Sequence, residues 1–302
     1  MKKILYVATA LAFIACGSSQ NTAQKEGENV DEAVKYAATI TAKDLGKHLF
    51  IYASDEFEGR LTGEPGQKKA VEYLKDFYID HGIVSPIGNN DYFQEVSAEW
   101  LTKKSRRGSL KASENVVAFI EGTEKPDEIV VISAHLDHEG IKDGKIYNGA
   151  DDDGSGTVAL LEIAEAFKMA ADNGKGPKRS ILFLHVTGEE KGLLGSKYYT
   201  ENPLFPMANT VCDLNIDMIG RIDDRHKENP NYVYLIGSDK LSMELHNLSE
   251  EVNKKYMNIS LDYKYNDEND PNRFYYRSDH YNFAKHNVPI IFYFNGTHAD
   301  YH

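Results

Sequence analysis

The sequence predicts an α/β layer fold: a single domain whose central, mostly parallel (mixed) β-sheet is sandwiched by helices. Three observations predict it. Five short runs rich in Ile, Val, Leu, Phe and Tyr read as strands buried on both faces: NVVAFIEG, EIVVISAHLD, SILFLHVTGEE, VCDLNID and VPIIFYFNG. Longer stretches with apolar residues at helical spacing, GTVALLEIAEAFKMAADNG and SDKLSMELHNLSEEVNKKY, separate several of them, the order expected of a sheet with helices on both sides. The 302 residues are 41% hydrophobic, enough for one large core.

Ahead of the first strand, AKDLGKHLFIYAS and GQKKAVEYLKDFYIDHG also carry helical spacing, the second stopping before Gly82. The Gly- and Pro-containing stretch DEFEGRLTGEPG between them is a loop. There is no internal repeat. A net charge of -13 offers no basic footprint for nucleic acid, so no nucleic-acid partner is expected.

The N-terminus differs in kind. Lys2 and Lys3 precede an apolar or small run from Ile4 to Ala15 that ends at Cys16, too short to span a bilayer and flanked like a secretory signal. Its ending FIAC resembles a bacterial lipoprotein signal, so residues 1–16 are expected to be a signal peptide with Cys16 lipidated. Residues 17–30 are polar and read as a flexible tether, with the folded domain spanning 31–302. The expected location is outside the inner membrane, in the periplasm or on the outer membrane, held by the lipid. Cys212 is then the one remaining thiol; it lies in an apolar strand-like run, so a buried structural role is expected and a cysteine hydrolase is not.

In open α/β sheets ligands bind past the C-terminal ends of strands. Four of the runs end in metal-ligand types: His135 and Asp137, Glu189 and Glu190, Asp217, and the stretch with His298, Asp300 and His302. A single such residue is also what an ordinary loop contains. The triplet Asp151, Asp152 and Asp153 stands before a helical pattern; Asp153 or Ser155 can cap that helix, which leaves the other carboxylates unexplained unless a cation neutralises them. A two-metal hydrolytic site needs about two terminal ligands per metal, a bridging carboxylate and a base. His135, Glu190, Asp217 and His302 can serve as the terminal ligands, one Asp of the triplet as the bridge and Glu189 as the base.

The ordered motifs SAHLDH, NGADDDGSGTVALLEIA, TGEEKGLLGSKYY, LNIDMIGR and RSDHYNFAKHNVPIIFYFNGTHADYH resemble peptidase family M28, the co-catalytic zinc aminopeptidases, over roughly residues 50–302. The resemblance implies a zinc exopeptidase-like fold with two zinc ions per chain. It implies that His135 and Asp217 ligate one zinc, Glu190 and His302 the other, and Asp152 bridges them. Glu189 matches the general base, Asp137 the carboxylate that orients the His135 ring, and Tyr301 a donor to the tetrahedral oxyanion. Arg277 is a weaker candidate for positioning substrate. His138, His185, His280 and His298 receive no role, although His280 is placed near the cleft.

Relatives continue past the last ligand with a threonine-proline turn and a helix, so the natural protein is expected to be longer than a chain ending at His302. No inserted protease-associated domain is expected. The function implied is removal of N-terminal residues from peptides. Alternatives are a di-zinc carboxypeptidase or deacylase, a glutaminyl cyclase using one zinc, and a binding protein that has lost catalysis; the intact ligand set argues against the last two. Oligomeric state and side-chain preference are not legible in the sequence.

Overall fold

The computed structural model describes residues 32–302; the expected signal, Cys16 and the expected tether lie outside the described residues. Besides a helical stretch over residues 32–37, the described helices are α1 (Ala42–Tyr52), α2 (Pro65–Asp80), α3 (Ala98–Lys104), α4 (Gly156–Asp172), α5 (Leu194–Glu201), α6 (Met243–Val252) and α7 (His280–Ala284). Strands are β1 (Phe93–Val96), β2 (Ser113–Ile120), β3 (Lys125–His135), β4 (Gly140–Lys142), β5 (Lys145–Tyr147), β6 (Arg179–Val186), β7 (Thr210–Ile216), β8 (Tyr232–Ile236), β9 (Ser260–Asp262) and β10 (Ile290–Phe294). Eight strands form one mixed sheet in the order β1-β2-β6-β3-β7-β10-β8-β9, and β4 pairs with β5 in a separate hairpin.

The middle of the sheet is parallel: β6 with β3, β3 with β7, and β7 with β10. Antiparallel β2 and β8 flank it. Burial on both faces explains why these runs read as continuous apolar sequence. Alternate residues serve opposite faces. On one face Ala118, Ile132, Ala134, Ile181 and Phe183 pack against Val71 and Leu74 of α2 and Leu160, Leu161 and Ala164 of α4. On the other, Val117, Val131, Leu182 and Leu184 meet Tyr199 of α5 and Phe283 of α7. Cys212 of β7 is buried, and burial pushes its thiol up to about 12, which keeps it unreactive.

Side-chain caps fix several helix starts. Thr41, Ser97 and Ser242 accept from the backbone N–H groups of Asp44, Trp100 and Leu245, while Pro65 opens α2, where its missing N–H costs nothing. No described helix is long and apolar enough to cross a membrane.

Parallel strands share a direction, so β3, β6, β7 and β10 deliver their C-terminal ends to one edge. That edge receives His135, Glu189 and Glu190, Asp217, and the stretch from Asn295 to His302. Beneath it the chain makes an unusual turn: Glu58, Gly59 and Arg60 all have left-handed backbones, with φ of 52°, 66° and 48°. A Cβ at Gly59 would sit 2.3 Å from the carbonyl oxygen of Tyr147 and 2.8 Å from that of Gly140. Gly59→Ala should therefore destabilise the fold by about 1–3 kcal/mol through strain and forced separation of these backbones; a urea unfolding midpoint equal to that of the parent protein would contradict this.

Candidate metal centre

The four strand ends and the start of α4 bring together His135, Asp152, Glu190, Asp217 and His302. Asp152 lies at the middle of them: its Oδ1 is 2.9 Å from His135 Nε2 and its Oδ2 is 2.8 Å from His302 Nε2. Asp217 Oδ1 is 3.8 Å from the same His135 nitrogen, and Glu190 Oε1 is 3.7 Å from the same His302 nitrogen. Three possible ligand groups result: His135, Asp152 and Asp217; His138, Asp152 and Glu190; and Glu139, Glu190 and His302. Asp152 belongs to the first two and touches the third through His302.

The three adjacent aspartates do three different things. Asp153 is fully buried and accepts three backbone N–H groups, those of His135 (3.1 Å), Gly156 (2.9 Å) and Met218 (3.1 Å), so it ties β3, β7 and the start of α4 to one another. It also supplies the side-chain cap at Gly156; Ser155 instead donates to Asp151. Asp151 accepts from the Gly220 N–H at 2.6 Å and faces His298 Nε2 at 2.9 Å. Asp152, held from both sides, points into the centre; the peptide bond between Asp152 and Asp153 is cis.

Two features beneath the centre escaped the sequence reading. Arg60, the largest fully buried side chain, donates to four carbonyls: Leu136 (3.1 Å), Tyr52 (3.0 Å), Asn148 (2.7 Å) and Gly149 (2.8 Å). It thus links the loop after β3 to the loop carrying the aspartates and places a cation behind Asp137, Asp152 and Asp153. Behind Asp217 runs a chain of buried hydrogen bonds: Ser278 donates to Asp217 Oδ2 at 2.6 Å, Asn215 donates to Ser278, and Ser133 donates to Asn215 and Asp213. Such a chain fixes the carboxylate's orientation.

Asp137 departs from the expectation. The atom facing His135 Nδ1 is the backbone carbonyl oxygen of Asp137, at 3.0 Å, while its carboxylate is 3.9 Å away. That carboxylate accepts instead from the Glu189 N–H (3.0 Å) and Thr62 Oγ1 (2.7 Å), so it positions the segment carrying Glu189. These two donors hold each carboxylate oxygen away from the ring, and the backbone carbonyl faces it instead.

Do these residues fit a metal? A carbonyl at Nδ1 requires that nitrogen to carry the proton, so a neutral His135 turns its Nε2 lone pair toward Asp152 and Asp217. A lone pair facing two carboxylates is repulsive unless a proton on that nitrogen or a metal cation lies among them. Glu190 Oε1 and His138 Nδ1 are likewise buried 3.0 Å apart with no hydrogen bond made by either. Burial and the nearby Asp152 carboxylate push Glu190 up to about 7, and burial raises Glu189 well above the ordinary carboxylate range. Imidazole and carboxylate are zinc ligand types, and the arrangement fits dications on both sides of Asp152.

His138, which the sequence reading left without a role, therefore belongs to the surroundings of the centre, with Nδ1 3.9 Å from Asp152 Oδ2. His298 supports Asp151. His185 is buried against Tyr78, and His280 faces the Tyr275 carbonyl, both away from the ligands. Clefts of about 290 and 330 Å³ flank the centre, and Tyr301 and His302 line both. Arg277 lines the second cleft with Glu189, its guanidinium 4.9 Å from the Phe274 ring centre.

The model of peptidase family M28 matches residues 115–302, and the chain belongs to that family. It is 28% identical over 254 residues to leupeptin-inactivating enzyme 1 of Streptomyces exfoliatus, covering 84% of this chain and 48% of that protein, so the chain spans about half the length of this relative. The fold is that of the Legionella pneumophila LapA aminopeptidase (TM-score 0.63, 19% identity, 90% of this chain and 66% of that one). It is equally that of Porphyromonas gingivalis glutaminyl cyclase (TM-score 0.63, 18% identity, 86% of each chain).

Replacing Arg60 with Met keeps much of its volume but leaves four buried carbonyls without a donor and removes the cation behind the aspartates. The variant should lose about 3 kcal/mol or more of stability. Urea unfolding of Arg60→Met measures this, and a loss under about 1 kcal/mol would show that water replaces the guanidinium.

Proposed function

From membership of peptidase family M28 and the paired ligand groups, we propose that the chain is a di-zinc metallo-exopeptidase that removes N-terminal residues from peptides. The observation that carries the reading is the place of Asp152, which faces both His135 and His302 and shares ligand groups with Asp217 and with Glu190, while Glu189 lines the second cleft beside them. Zinc bound by these five residues would supply Lewis acidity toward the scissile carbonyl and toward the attacking water.

The chain's own groups do the rest. Glu189 takes the proton of the attacking water on its carboxylate and passes it to the leaving amine; burial already raises its proton affinity, as a general base working near neutral pH requires. Its backbone is fixed by the Asp137 carboxylate, which limits how far the base can drift. Tyr301, partly buried between the clefts with its phenol raised by burial and the nearby Asp152, stays protonated and donates to the oxyanion. Asp217 is kept in register by Ser278, and Asp151 and Asp153 hold the two sides of the loop that presents Asp152. The apolar run ending at Cys16 supports an exported, lipid-anchored protein acting on peptides outside the inner membrane.

The reading is tested by mass spectrometry of short peptides incubated with the zinc-loaded protein, comparing free with acetylated N-termini. Stepwise loss from the free N-terminus alone is expected. Loss from the C-terminus of both would establish a carboxypeptidase instead, and conversion of N-terminal glutamine to pyroglutamate without hydrolysis a cyclase. Glu189→Gln should bind zinc as the parent does yet lose roughly 10²–10⁴-fold in kcat, the range for a general base; undiminished turnover would remove Glu189 from that role.

A further inference from the structure

We infer that the cleft beside Glu189 is a carboxylate-binding subsite, built to receive an anionic group on the leaving side of the scissile bond. The inference rests on the peptidase reading above and adds a substrate class to it. The side is set by the base: Glu189, which hands a proton to the leaving amine, lines this cleft and not the opposite one.

The walls are cationic. The segment after α3 contributes Arg106 and Arg107, the segment after β6 contributes Lys191, and Arg277 faces them. One carboxylate, Glu139, serves Arg107 (3.3 Å), Lys191 (3.1 Å) and also Lys142 (2.7 Å), so three cations share a single anion. Among the described residues neither Arg106 nor Arg277 is in an ion pair, and both are exposed. One cleft therefore holds two guanidinium groups that have no carboxylate partner. The Phe274 ring under Arg277 steadies the guanidinium plane and leaves its N–H edge free.

The opposite cleft has the reverse character. Asp151, Asp152 and Asp300 line it, and its arginine, Arg221, is already paired to Asp300 at 2.9 Å. Of the two clefts, the one beside Glu189 alone offers a carboxylate guanidinium groups that are not already paired. Guanidinium binds carboxylate through two parallel hydrogen bonds, which selects it over the isosteric amide. The carboxylate can belong to an acidic side chain after the cleaved bond or to the C-terminus of a dipeptide.

Two peptide pairs decide. Ala-Glu-amide against Ala-Gln-amide reports the side chain, and Ala-Ala against Ala-Ala-amide reports the terminus, each followed by kcat/KM on the zinc-loaded full chain. At least one pair should favour its carboxylate member by roughly tenfold or more, and that pair names the source. In Arg106→Gln and in the double variant with Arg277→Gln the ratio should fall toward one, and the ratio rather than the rate is the readout. Ratios near one in the parent protein, with all peptides cleaved, would overturn the subsite and leave the peptidase reading intact. Should nothing be cleaved, calorimetric titration of the same peptides applies. Preferential binding of the carboxylate member, lost in the double variant, supports the subsite; equal or undetectable binding of both members overturns it.

Discussion

Everything at the C-terminal edge of this sheet answers to one constraint: Asp152 is a buried carboxylate set between two imidazoles, with further carboxylates from Asp217 and Glu190 crowding the same space. Taking charge out of water is costly unless each charge is paired and hydrogen-bonded. The surroundings read as responses to that cost. Asp153 is saturated by three backbone N–H groups, Asp151 by Gly220, Ser155 and His298, and Asp137 by Glu189 and Thr62. Arg60 places its charge below all of them. What stays uncompensated is the space facing His135, Asp217, Glu190 and His302, and that is where cations fit.

The sheet makes the crowding possible. Four neighbouring parallel strands end at one edge, each followed by a ligand type, and the packing of α4 on β3 and β6 carries the aspartate loop over the same edge. The turn through Glu58, Gly59 and Arg60 carries the supporting arginine underneath, at a backbone conformation that only close packing against Tyr147 and Gly140 sustains.

The long buried strands were legible because burial on two faces writes itself as an unbroken apolar run; β3, β6, β7 and β10 all coincide with such runs. Strands β1, β4, β5 and β9 were not, having three or four residues and no length of pattern to read, and β8 was missed although it is as long as β10. The ligand types were legible because they close strands, where the fold has a reason to place chemistry. Arg60 was not, since its role comes from three left-handed residues and carbonyls far away in sequence. Nor was His138, which in sequence is one more residue after the ligand motif and acquires meaning only beside Glu190. Asp137 lies beside His135 as the motif suggested, but its backbone carbonyl and not its carboxylate faces the ring.

The central claim is that one carboxylate organises two cation sites. Native mass spectrometry during zinc titration of the protein, with and without Asp152→Asn, tests it most directly. Two zinc ions bound per parent chain, and weakened binding of both in the variant, is the result this account predicts. A single bound ion in the parent, or a variant that still takes up two with undiminished affinity, would contradict it.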